Sequence, residues 1–230
     1  MDEAEALLGK RALIAAAAVA GALAVPLHVL ATPLSAAAFA LLALAGLRVW
    51  RWSGLPACVT TPRGVPWKFA GPIVWLALGV AIGLALLAMI RLVIEPSVPS
   101  IGDRIAAAGR LPVWRRLAII YVAAVGEELI FRLLLLSAVA GIARRLARRS
   151  QPPSRAAVQT ANAVAALAFA ASHLPAWAAA LSLPLALAVV ALNGIAGAIL
   201  GIVFVKRGIG PAIWTHAGGD CAIQLIGPLW

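Results

Sequence analysis

The sequence predicts an all-α fold, a polytopic transmembrane helical bundle of about seven spans, with six to eight allowed. Three observations carry that expectation. Hydrophobic residues make up 63% of the 230 residues and mean hydropathy is +1.01, whereas a soluble domain holds about 45–50% apolar residues. The excess is sorted into runs, each close to the ~20 residues that a bilayer crossing takes. Charged residues are only 12% of the chain, and most of them fall between the runs.

The runs are Ala12–Ala31, Pro33–Trp50, Ala70–Ile94, Leu117–Ile142, Ala156–Leu181, Pro184–Val205 and Ile209–Leu229. The first follows an acidic start, Met1-Asp2-Glu3-Ala4-Glu5, and is too long for a signal-peptide core, so it is expected to be a retained helix. A tight Ala31-Thr32-Pro33 turn is expected to join it to the second. The third loop is read as an interfacial segment, Ile101–Arg116, whose Arg104, Arg110, Arg115 and Arg116 snorkel. Residues 1–110 then hold the N-terminal spans and this segment, and 111–230 hold a four-helix core.

Basic residues orient the bundle. Lys10 and Arg11 precede the first span. Arg48, Arg51, Arg63 and Lys68 lie in the second loop, Arg144, Arg145, Arg148, Arg149 and Arg155 in the fourth, and Lys206 and Arg207 in the sixth. The first and fifth loops have none, which places the N-terminus inside, in the cytoplasm, and the C-terminus outside. Trp50, Trp52, Trp67, Trp114, Trp177 and Trp230 lie near span ends, as an aromatic belt requires. The net charge of +11 therefore reflects topology and anionic headgroups. No basic face interleaved with aromatics points to nucleic acid. Cys58 and Cys221 sit in unlike settings, a basic loop and an apolar run, and no disulfide is expected.

An ionisable side chain at the middle of a spanning helix costs about 2.5–3.5 kcal/mol and marks a functional site by default. The fourth span carries Glu127, Glu128 and Arg132, beginning about ten residues, ~15 Å, into the run. Neighbouring helix positions point about 100° apart, so the two carboxylates are expected to serve different tasks. Glu128 and Arg132 stand at i, i+4 in the favourable order for an ion pair. Glu127 is left without a local partner, and a carboxylate held out of water suits a general base. A buried packing network of the three is the plain alternative. In the fifth span Phe169 and His173 share a face. A lone membrane histidine is more often a helix-helix hydrogen bonder, as His28 in the first span is expected to be. In the last span His216 and Asp220 share a face, and Gly218 and Gly219 between them allow close approach. Asn193 is expected to hydrogen-bond between helices, and Asn193–Gly201 to form a close-packing seam of small residues. A span reaching past a Pro175 kink to Leu181 would bring His173 toward mid-membrane.

Glu-Glu-x-x-x-Arg, then Phe-x-x-x-His, then His-x-x-x-Asp on successive spans resembles the CPBP family, the CAAX prenyl proteases and bacteriocin-processing or immunity proteins also called Abi. The resemblance covers about Leu117–Gln224 and includes the Lys206-Arg207 turn and Gly210. It implies a glutamate-dependent intramembrane endopeptidase of a prokaryotic plasma membrane. Glu127 would be the base, His173 would hold the nucleophilic water, and His216 and Asp220 would stabilise the oxyanion. Glu128 and Arg132 would brace the site or bind substrate, with Phe169 in support. The implied partner is a membrane-embedded or lipidated peptide: a prenylated C-terminus, a leader peptide or a C-terminal sorting helix. No cofactor is implied. The third motif often ends in Asn, and Asp220 departs from it. It could donate when protonated, orient His216, or help His173, His216 and Glu127 to hold zinc, although no His-Glu-x-x-His is present. A non-catalytic immunity or assembly factor on the same scaffold is the alternative function. A transporter would need polar residues across Ala12–Ile94, where they are sparse.

Overall fold

The computed structural model describes residues 3–24, 31–56, 70–147, 152–180 and 182–230. Every regular element among the described residues is helical. Helix α1 is Glu3–Ala24, α2 Ala31–Ser53 and α3 Ala70–Met89, which runs on through a π-turn at Ile90–Ile94. The short α4, Ser100–Ala108, leads to α5, Val113–Glu127. The same rod continues as a π-helical stretch, Glu128–Leu136, and as α6, Ser137–Leu146. Then come α7, Arg155–Ser172, a 3-10 turn at Leu174–Ala180, α8, Leu183–Arg207, and α9, Ile209–Cys221, which ends in a π-turn at Ala222–Ile226.

Among the described residues, four helices are long and apolar enough to cross a bilayer: Leu7–Ala24, Thr32–Ser53, Gly71–Ile94 and Leu183–Arg207. They correspond to the first, second, third and sixth apolar runs. Large apolar side chains lie exposed along them, Leu34, Ile73 and Leu187 among these, a surface that suits lipid rather than water. The bundle is thus that of an integral membrane protein.

Several local expectations are corrected. Ala31-Thr32-Pro33 is the first turn of α2, not a link, since proline fits the opening turn, whose N–H groups need no helical partner. The expected interfacial segment is not one element: it holds α4, Ser100–Ala108, and the start of α5, to which Arg115 and Arg116 belong. The span expected to run to Leu181 stops as an α-helix at Ser172, with His173 as its C-cap. Proline lacks an N–H and disfavours helix at the residue before it, so Pro175 falls in a tighter turn. His28, Cys58, Arg63, Trp67, Lys68, Arg148, Arg149 and Leu181 lie outside the described residues.

The most extensive pairings are α3 with α9, α1 with α2 and α7 with α8. Glycine makes the first possible: a Cβ on Gly218 would run into the backbone of Leu76 and Val80, and one on Gly79 into that of Thr215. The seam of α8 works as expected, with Gly197 against Ala166 and Phe169 and Gly201 against Asn162. Gly208 alone joins α8 to α9, at φ 96°, a conformation that L side chains rarely adopt. That sharp joint sends α9, and the last motif, back into the bundle.

Candidate active site

The three motifs meet around one imidazole. His216 on α9 is buried, with 7% of its side chain exposed. Its Nδ1 lies 2.9 Å from Oε1 of Glu128. Its Nε2 lies 3.7 Å from Oε2 of Glu127 and 3.7 Å from Oδ2 of Asp220, one turn further along α9. Glu127 has no partner on its own helix; the charged group nearest its Oε2 comes from α9, 88 positions from Glu128. The two carboxylates do diverge, but the ring nitrogens of His216 also lie on opposite edges, and the ring spans the gap.

Glu128 and Arg132 form the expected pair, with Nε 3.3 Å from Oε2 and side chains 0% and 1% exposed. The Nε–H does not point along the contact, so the attraction is charge to charge. Arg132 also donates through Nη2 to the carbonyl of Gly197 at 3.3 Å, tying the π stretch to α8. Its guanidinium carbon sits 4.6 Å from the centre of the Phe169 ring. Within the widened helix the hydroxyl of Ser137 donates to the carbonyl of Arg132, five residues back. Stretches of π-helix are rare and recur at functional sites.

Phe169 is the wedge between these groups. Its ring centre is 4.8 Å from that of His173 and 5.8 Å from that of His216, and it meets Phe131 edge-on at 5.4 Å. His173 lies 2.8 Å from the Phe169 carbonyl through Nδ1. A carbonyl only accepts, so Nδ1 carries the hydrogen and, in the neutral ring, Nε2 is an acceptor.

Glu127, His173, His216, Asp220 and Phe169 line one chamber of about 780 Å³. Its other walls are mainly apolar, with Leu86, Ile90, Ile105 and Leu192 among them. Glu127 and Asp220 keep 30% and 29% of their side chains exposed, whereas Glu128 keeps none. The arrangement sets two part-exposed carboxylates and two imidazoles on one wall of the chamber, with a fully buried ion pair behind them. Among the described residues no three His, Cys, Asp or Glu side chains have the geometry to hold a metal ion.

Asn193 is placed differently from the interhelical role expected of it. Its Nδ2 donates at 2.8 Å to Val189 on its own helix, and the residue lines the chamber. A polar amide in the middle of a 25-residue apolar helix was the available signal. Gln224 and Arg104 also line the chamber. Arg104 stacks 4.5 Å over Trp177 and donates to the carbonyl of Ala176, so it pins α4 to the turn after α7.

The fold and the cluster define a membrane-helix bundle with an acid–histidine site at the wall of an apolar chamber. A family model described as Rce1-like, type II CAAX prenyl endopeptidase Rce1-like, matches residues 109–222. That segment holds Glu127, Glu128, Arg132, Phe169, His173, His216 and Asp220, and it belongs to this family of CAAX-type membrane proteases, as its resemblance to the CPBP family implied. No curated protein and no solved structure matches the chain.

Proposed function

We propose that this protein is an intramembrane endopeptidase that hydrolyses a peptide bond of a membrane-associated substrate with a glutamate-activated water. The observation that carries the reading is the meeting of Glu127, His216 and Asp220 on the wall of the chamber that His173 also lines. Glu127 takes a proton from water as its oxygen attacks the scissile carbonyl carbon. His173, acceptor at Nε2, holds that water with it. The carbonyl oxygen becomes an oxyanion facing His216 and Asp220. When the C–N bond breaks, Glu127 returns the proton to the leaving nitrogen. Glu128 fixes the tilt of His216, and Arg132 fixes Glu128. Asp220 then works protonated, as a donor, or as a second brace on Nε2 of His216. No cofactor enters.

In this reading the motif-bearing rods, Val113–Leu146, α7 with its 3-10 turn, and α9 with its π-turn, cross the membrane too, completing seven spans. Residues 111–230 are the catalytic core, and the N-terminus faces the cytoplasm of a prokaryotic cell. The apolar chamber suits a lipidated or membrane-embedded chain, and the family name points to a prenylated CAAX terminus.

The test is Glu127→Gln, assayed on a farnesylated CAAX peptide and on peptides bearing a leader or a sorting helix. Cleavage should fall by about 100- to 10,000-fold, with detergent extraction and melting unchanged. Wild-type turnover in this variant would overturn the glutamate mechanism.

A further inference from the structure

A second cavity, of about 840 Å³, lies between α1 and α2 and shares no residue with the chamber. Four cations line it, Lys10 and Arg11 from α1 and Arg48 and Arg51 from α2. Among the described side chains none of the four has an acidic partner. Like charges so gathered repel one another, and a bound anion would relieve that. Trp52 closes the site, and α6 holds it there: Arg144 donates to its carbonyl at 2.7 Å and the Arg145 guanidinium lies 5.2 Å over its ring.

The apolar part of the lining identifies the kind of anion. Both helices are membrane spans, and the cations stand at their ends. Leu44 lies one turn below Arg48, and Leu41 about one turn below that, 47% and 63% exposed. A phosphate held by the cations would therefore have hydrocarbon rails directly beneath it. A soluble phosphate has no use for these. Tryptophan at the same level is where headgroups meet the apolar core.

We propose that this cavity is a binding site for an anionic phospholipid, with its phosphate on Lys10, Arg11, Arg48 and Arg51 and its acyl chains along Leu41 and Leu44. The site is independent of the catalytic chamber but mechanically continuous with it. Leu47, in the cavity wall, packs in the same core as Leu129 and Leu133, and a Cβ on Gly46 would strike Leu133. An occupant would hold α2 against the stretch that carries Glu128 and Arg132.

The experiment is thermal melting and native mass spectrometry of the full-length protein in detergent, with phosphatidylglycerol, phosphatidylcholine or inorganic phosphate added. Phosphatidylglycerol should raise the midpoint by about 2–4 °C or more and persist as a bound adduct, weakening in high salt. Arg48→Gln with Arg51→Gln should abolish both effects, and so should Lys10→Gln with Arg11→Gln on the other helix. Each pair's midpoint in phosphatidylcholine reports that it folds. Glu127→Gln should keep the full response. Three results would overturn the site: an equal shift with phosphatidylcholine, an equal shift with phosphate alone, or a response that survives in whichever pair folds.

Discussion

His216 and Glu128 are 88 positions apart in the chain, yet Nδ1 of one lies 2.9 Å from Oε1 of the other. A carboxylate paired with Arg132 accepts, so Nδ1 carries the hydrogen, and Nε2 is the atom that faces Glu127 and Asp220. Glu128 thus selects which edge of the ring looks into the chamber. A residue that the motif makes a neighbour of Glu127 holds the histidine opposite.

Stability should follow from that burial. Removing one member of a fully buried pair costs about 3–5 kcal/mol, so Arg132→Ala should lower the melting midpoint in detergent as well as activity. Glu128→Ala should do the same and also free His216. Replacing both by leucine should recover most of the stability, since a buried pair exchanged for apolar groups is often neutral, but not the activity. An unchanged midpoint for Arg132→Ala would mean that the guanidinium serves a substrate carboxylate instead.

Much of this was legible in the chain because each signal is local. Four spans stand out by apolar content over one continuous helix. Glu127, Glu128 and Arg132 stand out because charge is costly in such a run. The break after Ser172 is legible too, since Pro175 disfavours helix on its N-terminal side, whereas apolar content alone runs on to Leu181. The bridge from His216 to both glutamates was not legible. It depends on how α9 settles against the rod of α5, and on a π stretch, Glu128–Leu136, that resets the faces of that rod and that no residue pattern announces. The bond from Asn193 to the Val189 carbonyl is not legible either, because every helix offers such a carbonyl and it leaves no mark in sequence.

The glycines before Asp220 offer a sharper contrast. Gly218 is pressed against the backbone of α3, whereas a Cβ on Gly219 would meet only the carbonyl oxygen of Gly79, at 3.8 Å. Gly218→Ala should push α9 off α3 and cost about 1–3 kcal/mol. Gly219→Ala should melt close to wild type. Equal midpoints for the two variants would contradict the packing described for α3 and α9.

Phe169 separates packing from positioning. Its ring touches His173, His216 and the guanidinium of Arg132. Phe169→Leu keeps an apolar side chain but loses those faces, at about 1–2 kcal/mol of stability. Turnover per folded molecule should fall further than this loss implies, because both imidazoles lose a wall. Phe169→Tyr, which keeps the ring, should retain more activity than Phe169→Leu. If leucine and tyrosine variants turn over alike, the ring is filler and the histidines are oriented by other contacts.

Asp220 decides between two chemistries. Its carboxylate is 3.7 Å from Nε2 of His216 and 29% exposed to the chamber. In a glutamate protease it acts as a neutral donor or as a brace for His216. Asparagine donates without charge and fills nearly the same volume, so Asp220→Asn should retain activity and can raise it. Chelators should then leave turnover unchanged. As a metal ligand, Asp220 would lose a carboxylate for which an amide is a poor substitute. Activity and bound metal would then fall together, and zinc would restore a chelated wild type. Elemental analysis of the wild type beside Asp220→Asn, with turnover measured on the same samples, separates the two. The expected result is active protein without stoichiometric metal in both. One zinc per wild-type chain, lost with the substitution, would transfer the activation of water from Glu127 to the metal.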